Sequence, residues 1–178
     1  ATACGWSERL RLDLVLNVFV ASAITTGKIE VLSDGTPWRP LIDVKDMCRA
    51  IDWAIIREKN CGGQFLPINT GKNSSNYQVK QIANSVAELI PYTKVSINKN
   101  ALPDDRSYSV DFSRYEKLAP DFQPITSLNE SILNLISGLK KVDFAIKDFR
   151  KSNFIRLNTL RKHIENNRIG KDLRWTPF

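Results

Sequence analysis

The stretch DGTPWRPLIDVKD, residues 34–46, decides the fold that this sequence predicts. A Gly-Thr-Pro turn follows an apolar strand at residues 29–32, and Arg39 precedes a short apolar run that ends at Asp43. Asp43 has the pattern of a helix N-cap, with Asp46 in the first helical turn. A guanidinium beside a strand end can donate paired hydrogen bonds to phosphate oxygens, as nucleotide recognition requires. Local chemistry alone also fits a surface turn that carries an ordinary arginine.

Apolar periodicity predicts helices on both sides of this stretch. Residues from Asp13 to Gly27 have helical spacing and a glycine stop. A second helix is expected to end at residues 61–63, and a strand is expected to follow at residues 64–69. A polar loop and a third helix follow, and Asn76 has the residue type of its cap.

The second half of the chain continues the alternation of helices and strands. Residues 95–97 predict a short strand, and residues 108–112 form a second alternating run. Ser127 and Glu130 have the spacing of a capping box before another helix. A last amphipathic helix is predicted to end at Gly170.

Length and composition indicate one globular domain. The 178 residues suffice for one substantial core, and no run of about 18 apolar residues predicts a membrane span. The start, ATACGWSERLR, lacks a signal-peptide pattern and a methionine, which favours a fragment or a processed chain. Cys4, Cys48 and Cys61 show no metal spacing, and the single His163 cannot form a metal cluster. We therefore expect buried or idle thiols in a reducing cytoplasm and no bound metal.

The net charge of +7 is unevenly distributed along the chain. Residues 1–139 contain 15 basic and 15 acidic side chains, whereas residues 140–178 contain 11 basic and 4 acidic ones. We interpret residues 140–178 as a basic helical tail docked on a body of residues 1–139, with a hinge at 140–151. Leu173 and Trp175 are expected to dock the chain end. The tail fits a nucleic-acid contact or a solvated helix face, and the second interpretation is favoured.

Three segments together resemble one family. SERLRLDLVLNVFVASAITTGKIEVLSDGTPWRPLIDVKDM, residues 7–47, is similar to the C-terminal half of an extended short-chain dehydrogenase. The family is that of NAD-dependent nucleotide-sugar epimerases and dehydratases. ATACG, residues 1–5, resembles the end of the family strand that closes the cofactor crevice. DDRSYSVDFSRYEKLAPDFQP, residues 104–124, resembles the later arginine-bearing segment, so the likeness covers most of residues 1–139.

The resemblance implies an α/β fold. It would contain edge strands of a Rossmann-type parallel sheet and a small mixed α/β substrate-binding lobe, without the N-terminal dinucleotide-binding half. No G-x-G-x-x-G or G-x-x-G-x-x-G turn occurs, and Tyr77 and Lys80 are one residue short of the family's Y-x-x-x-K spacing. We therefore expect NAD or NADP to bind mainly to residues upstream, with no catalytic residue in this chain, which would be inactive alone. A lone half exposes a sheet edge and an apolar face, which predicts instability or association, for example as a homodimer.

The resemblance also places five substrate-binding residues. Arg39 and Arg106 would bind the diphosphate of a nucleotide sugar, with Asn17 and Arg11 nearby. Thr2 would face the sugar or the nicotinamide. Arg106 could instead pair with one of the two aspartates before it, and Arg11 with Glu8 or Asp13. The sugar and the base stay open, because Thr2, Cys4 and Pro40 stand where members often have Asn, Tyr and Asp.

Two other classes of function remain. A nucleic-acid-binding module would use the basic tail, with Phe154 and Trp175 as stacking groups. The zero net charge of the body and the apolar face of the tail helix argue against it. The third class is a non-catalytic interaction protein with a degenerate enzyme fold, which predicts no affinity for nucleotide sugars or nucleic acid.

Overall fold

The computed structural model describes residues 1–101 and 106–176. The strands are β1 (Thr2–Cys4), β2 (Lys28–Val31), β3 (Trp38–Asp43), β4 (Asn76–Gln78) and β5 (Lys94–Ile97). The helices are α1 (Val15–Thr26), α2 (Val44–Ile56), α3 (Val79–Leu89), α4 (Ser113–Leu118), α5 (Leu128–Lys141) and α6 (Arg156–Glu165). Short 3-10 turns occur at Asn73–Ser75, Pro120–Phe122 and Phe149–Lys151. The predicted α/β class is confirmed.

β3 is the central strand of the larger sheet, whose order is β1-β3-β4. It runs parallel to β1, with Ala3 opposite Ile42, and antiparallel to β4, with Arg39 opposite Tyr77. β2 and β5 form a separate parallel pair. Arg39 is therefore held in the sheet by its pairing with β4, while β1 pairs with residues 41–43 of the same strand.

The main core lies where α1, α3 and α5 pack on one another and α1 and α3 on the β2–β5 pair. Its fully buried side chains include Leu16, Val20, Ile82, Val86 and Leu135. A smaller cluster surrounds Trp53 and Tyr115, whose rings meet edge to face with centroids 5.5 Å apart. None of the described helices combines the length and the apolar character needed to cross a membrane.

Three predictions about helix ends depend on local chemistry, and all three are confirmed. α1 ends at Gly27, whose φ of 65° places it in the left-handed region, and its N–H donates to Ala23. Asp43 caps α2 by accepting a hydrogen bond from the Lys45 amide at 3.0 Å. Ser127 and Glu130 form the predicted capping box at the start of α5.

The predicted strand at residues 64–69 is wrong, and α2 ends before residues 61–63. The chain leaves the helix at Arg57, whose guanidinium donates to the carbonyl oxygens of Cys61 and Gly63. Pro67 has no amide hydrogen to donate to a strand ladder, and Phe65 is 86% exposed. This segment therefore runs as an unpaired connection.

The cap predicted at Asn76 is also wrong, because Asn76 lies in β4 and Gln78 with Gln81 caps α3. The Asn76 amide instead binds the backbone of Val110, accepting from its N–H at 2.9 Å and donating to its carbonyl at 3.0 Å. Asn73 accepts from the Phe112 amide in the same way. Residues 108–112 are thus held by amide side chains and are not a strand.

The tail begins inside the main core. Phe144 and Phe149 are buried there, and the Phe144 ring lies 5.5 Å from that of Phe154. The Leu12 amide donates to the Phe154 carbonyl at 3.2 Å. These contacts join residues 144–154 to the body, while the domain boundary after residue 139 stays a prediction.

The end of the tail differs from the expectation. α6 ends at Glu165, and Gly170 lies in a turn where its N–H donates to the Arg174 carbonyl, so the predicted stop is wrong. Leu173 and Trp175 are 58% and 71% exposed, so the predicted docking is not seen for Leu173. The Trp175 ring meets the His163 ring, with centroids 5.4 Å apart.

Two buried carboxylates fasten the carboxyl end of β3 to distant segments. Asp43 accepts a hydrogen bond from the Ser131 hydroxyl on α5 at 2.6 Å. Asp46 is 1% exposed and accepts from the amides of Ile125 and Thr126 at 3.1 and 3.0 Å. These bonds place the segment before α5 against the start of α2.

We expect Asp46→Asn to destabilise the chain by about 1–3 kcal/mol, the cost of leaving a buried donor unsatisfied. An amide side chain has one acceptor oxygen and would turn an NH₂ group toward a backbone N–H. Urea denaturation followed by circular dichroism measures the change. Asp52→Asn on the exposed side of the same helix is the matched control. Equal midpoints for the two variants would contradict the role given to Asp46.

Candidate active-site cleft

A cleft of about 610 Å³ brings together three of the five predicted site residues, Thr2, Arg39 and Arg106. Thr2 begins β1, Arg39 lies near the start of β3, and Arg106 follows β5 in the chain. The N-terminal part of α1 and the end of β2 also line the cleft. Residues from distant parts of the sequence therefore share one concave surface.

The Arg39 guanidinium contacts the backbone of Arg106. Its Nη1 donates to the carbonyl oxygens of Trp38 and Arg106, both at 2.7 Å, across 67 residues of sequence in the second case. The Trp38 amide donates to the Ser107 hydroxyl at 3.0 Å. The loop that carries Arg106 is thus docked on the start of β3. The alternative pairing of Arg106 with an aspartate at 104 or 105 concerns residues outside the described part of the chain.

Tyr108 is a cleft residue that the sequence analysis did not select. Its hydroxyl lies 3.4 Å from the Thr2 hydroxyl, and its side chain is 47% exposed. The only signal in the sequence was its place in the alternating run after Arg106. Two hydroxyl groups beside two guanidinium groups can bind both the hydroxyls and the anionic groups of a ligand.

Arg11 and Asn17 do not line the cleft. The Arg11 guanidinium makes a two-point contact with Asp13, at 3.0 and 2.7 Å, which is one of the two alternatives weighed for it. Asn17 is 2% exposed, accepts from the Gly5 amide at 3.1 Å and donates to the Arg11 carbonyl at 2.9 Å. The geometry gives both residues local partners, and their assignment to a diphosphate stays a prediction.

Part of the cleft lining is apolar. It contains Leu14 and Val18 of the α1 region, Val31 of β2 and Val79 at the start of α3. An apolar surface together with cationic groups suits a ligand that combines a flat or apolar part with an anionic group. Inorganic anions alone would leave the apolar surface unused.

One segment of the chain matches a known protein family. Residues 9–66 match the model of the NAD dependent epimerase/dehydratase family. The family resemblance is confirmed for this segment. It includes α1, β2, β3 and α2, and therefore Arg39 with both buried aspartates of the β3–α2 junction.

Three solved structures have a similar fold. An epimerase from Methanothermobacter thermautotrophicus matches 85% of the chain with a TM-score of 0.66 at 19% sequence identity. UDP-glucuronic acid 4-epimerase from Bacillus cereus, in complex with UDP-glucuronic acid and NAD, matches 79% with a TM-score of 0.63 at 17% identity. MoeE5, in complex with UDP-glucose and NAD, matches 79% with a TM-score of 0.58 at 23% identity.

The chain spans less than half of each of these three proteins, between 43% and 45% of their lengths. The likeness confirms the predicted Rossmann-type α/β fold class. At identities of 17–23% the structural likeness shows the fold alone, so the ligands named for two of these structures assign no ligand to this chain.

Cys4 lies at the end of β1. It is 3% exposed and donates to the Ile42 carbonyl at 3.4 Å. Burial, reinforced by the charge of Asp43, raises the pKa of Cys4 to about 12, so the thiol stays protonated near neutral pH. Among the described residues, no group of three His, Cys, Asp or Glu side chains could hold a metal ion.

The pKa of Asp13, at the cleft wall, is lowered from its usual 3.8, mainly by the hydrogen bond from Arg11. A carboxyl group with a depressed folded-state pKa stabilises the fold above its unfolded pKa, and this contribution is lost as the pH falls through the folded value. Arg11→Ala is expected to raise the pKa of Asp13 toward 3.8, measured by NMR titration of the carboxyl carbon. Arg9→Ala, an exposed neighbour, is the control. An unchanged Asp13 titration in Arg11→Ala would contradict the assigned pair.

Proposed function

We propose that this chain is the nucleotide-sugar-binding portion of an NAD(P)-dependent sugar epimerase, dehydratase or reductase. The observation that carries the proposal is the meeting of Arg39 and Arg106 beside one cleft. Two guanidinium groups can compensate the charge of a diphosphate and fix its orientation through paired hydrogen bonds. The match of residues 9–66 to the epimerase/dehydratase family supports this choice of ligand.

The other cleft residues have complementary roles in the proposal. The apolar lining residues Leu14, Val18 and Val79 would contact the uncharged part of the nucleotide. The hydroxyls of Thr2 and Tyr108, 3.4 Å apart, would hydrogen-bond to sugar hydroxyls. The chain would thus bind and orient the substrate.

The chain's own residues do not fit a complete dinucleotide site. A pyrophosphate of NAD or NADP requires a glycine-rich turn at the start of a helix, and the sequence contains neither of the two glycine patterns. The cofactor would supply oxidation and reduction at a sugar carbon. We assign no step of that chemistry to these residues, and propose that an upstream N-terminal unit holds the cofactor and the catalytic Tyr and Lys.

Two observations support an additional N-terminal unit. The three relatives are each more than twice as long as the part that this chain matches. Among the described strands, β1 pairs with β3 alone, so its other edge can accept a further strand. The proposed homodimer and the cytoplasmic location stay predictions.

Arg39→Ala is expected to weaken the binding of UDP-glucose by about 1.5–3 kcal/mol, the scale of a hydrogen bond to a charged group. Isothermal titration calorimetry measures the change. Arg114→Ala is the matched control, because Arg114 is exposed on α4 and does not line the cleft. Thermal melting of both variants checks that each is folded.

Equal affinities for Arg39→Ala and the wild-type chain would remove Arg39 from the site. Tight binding of single-stranded nucleic acid that weakens steeply with salt, without binding of UDP-glucose, would favour the nucleic-acid-binding module instead. Binding of neither ligand, with a protein partner that co-purifies, would favour the non-catalytic interaction protein.

A further inference from the structure

Arg150 belongs to the basic tail but lines the same cleft as Arg39 and Arg106. The sequence predicts a basic tail docked on the body, with a solvated helix face. The structure brings one of the exposed cations of this tail to the cleft, whose lining also includes Asp13 and Leu14.

The backbone at Arg150 is fixed by buried and hydrogen-bonded neighbours. Phe149 is 2% exposed, and its ring lies 6.0 Å from the Phe144 ring in the main core. The Asn158 amide donates to the Arg150 carbonyl at 2.8 Å, and the Ser152 hydroxyl donates to the Phe149 carbonyl at 2.6 Å. The Arg150 guanidinium lies 5.9 Å from the centre of the Phe149 ring, within the range of a cation–π contact. The tail therefore presents this arginine at a defined place.

The charges that line the cleft favour an anionic ligand. Asp13 is one of its two acidic residues, and its carboxylate is already bound by Arg11 at 2.7 Å. Glu30 is the other acidic residue of the cleft, against the three arginines Arg39, Arg106 and Arg150. Within residues 1–101 and 106–176, Arg150 takes part in no ion pair. Its charge is thus available to a ligand.

We propose that Arg150 is a third anion-binding residue of the cleft, so that the tail forms part of the ligand site. The inference rests on the proposed function for the identity of the ligand, a nucleoside diphosphate carrying a sugar. Its core claim, that the tail supplies a cation to an anion bound in the cleft, applies equally to inorganic pyrophosphate. Arg150 acts by binding and has no part in bond making.

The test compares Arg150→Ala, Arg150→Lys and Arg161→Ala in the full chain. Arg161 is an exposed arginine on α6 that does not line the cleft, so its removal changes the net charge equally. Calorimetric titrations use inorganic pyrophosphate and UDP-glucose, at about 50 mM and about 300 mM NaCl, because salt screens exposed charges over this range. Thermal melting shows that each variant is folded.

At low salt, Arg150→Ala is expected to weaken the binding of both probes about fivefold, the scale of one exposed ion pair. Arg150→Lys should recover part of the loss, Arg161→Ala should match the wild-type chain, and high salt should reduce the difference. Equal effects of Arg150→Ala and Arg161→Ala would overturn the inference, because net charge alone would then explain them.

The outcomes separate this inference from the proposed function. If UDP-glucose binding depends on Arg39 but not on Arg150, the inference fails and the proposed function stands. If pyrophosphate binding depends on Arg150 while UDP-glucose does not bind, the inference stands and the proposed function fails. If the wild-type chain binds neither probe, both fail.

Discussion

The hydrogen bonds of Asp43 and Asp46 at the carboxyl end of β3 are the constraint on which the rest of the structure depends. Asp43 caps α2 and receives the Ser131 hydroxyl of α5, while Asp46 receives two amides of the segment before α5. Gly5 lies so close that an added Cβ would collide with the Asp43 carboxylate. Three separate segments therefore meet the same strand end, with every bond satisfied away from water.

Fixing this strand end also fixes the cleft at the other end of β3. Arg39 lies in the same strand as Asp43, and β1 and β4 hold that strand on both edges. The loop at residues 106–108 docks on the strand start through Trp38 and Arg39. The cationic side of the cleft is thus supported by backbone pairing, which keeps the guanidinium of Arg39 in place before a ligand arrives.

Features encoded within a few residues could be predicted from the sequence. The Asp43 cap, the Gly27 stop and the Ser127–Glu130 box each satisfy backbone groups of their own helix end, so a short pattern identifies them. The prediction of a strand at residues 64–69 was wrong because strand formation needs a neighbouring strand, which the sequence of one segment does not reveal. The prediction of Asn76 as a helix cap was also wrong because of a long-range contact: its amide binds the backbone of Val110 in a distant segment.

The candidate site was predicted in part. Arg39, Arg106 and Thr2 share the cleft as the family resemblance implied, whereas Arg11 binds Asp13 and Asn17 is buried among backbone groups. The presence of Arg150 and Tyr108 in the cleft was not predicted, because long-range packing brings them there. The most direct measurement is a crystal structure of this chain with UDP. The account predicts diphosphate oxygens within hydrogen-bonding distance of the Arg39 and Arg106 guanidinium groups, and UDP bound elsewhere with this cleft empty would contradict it.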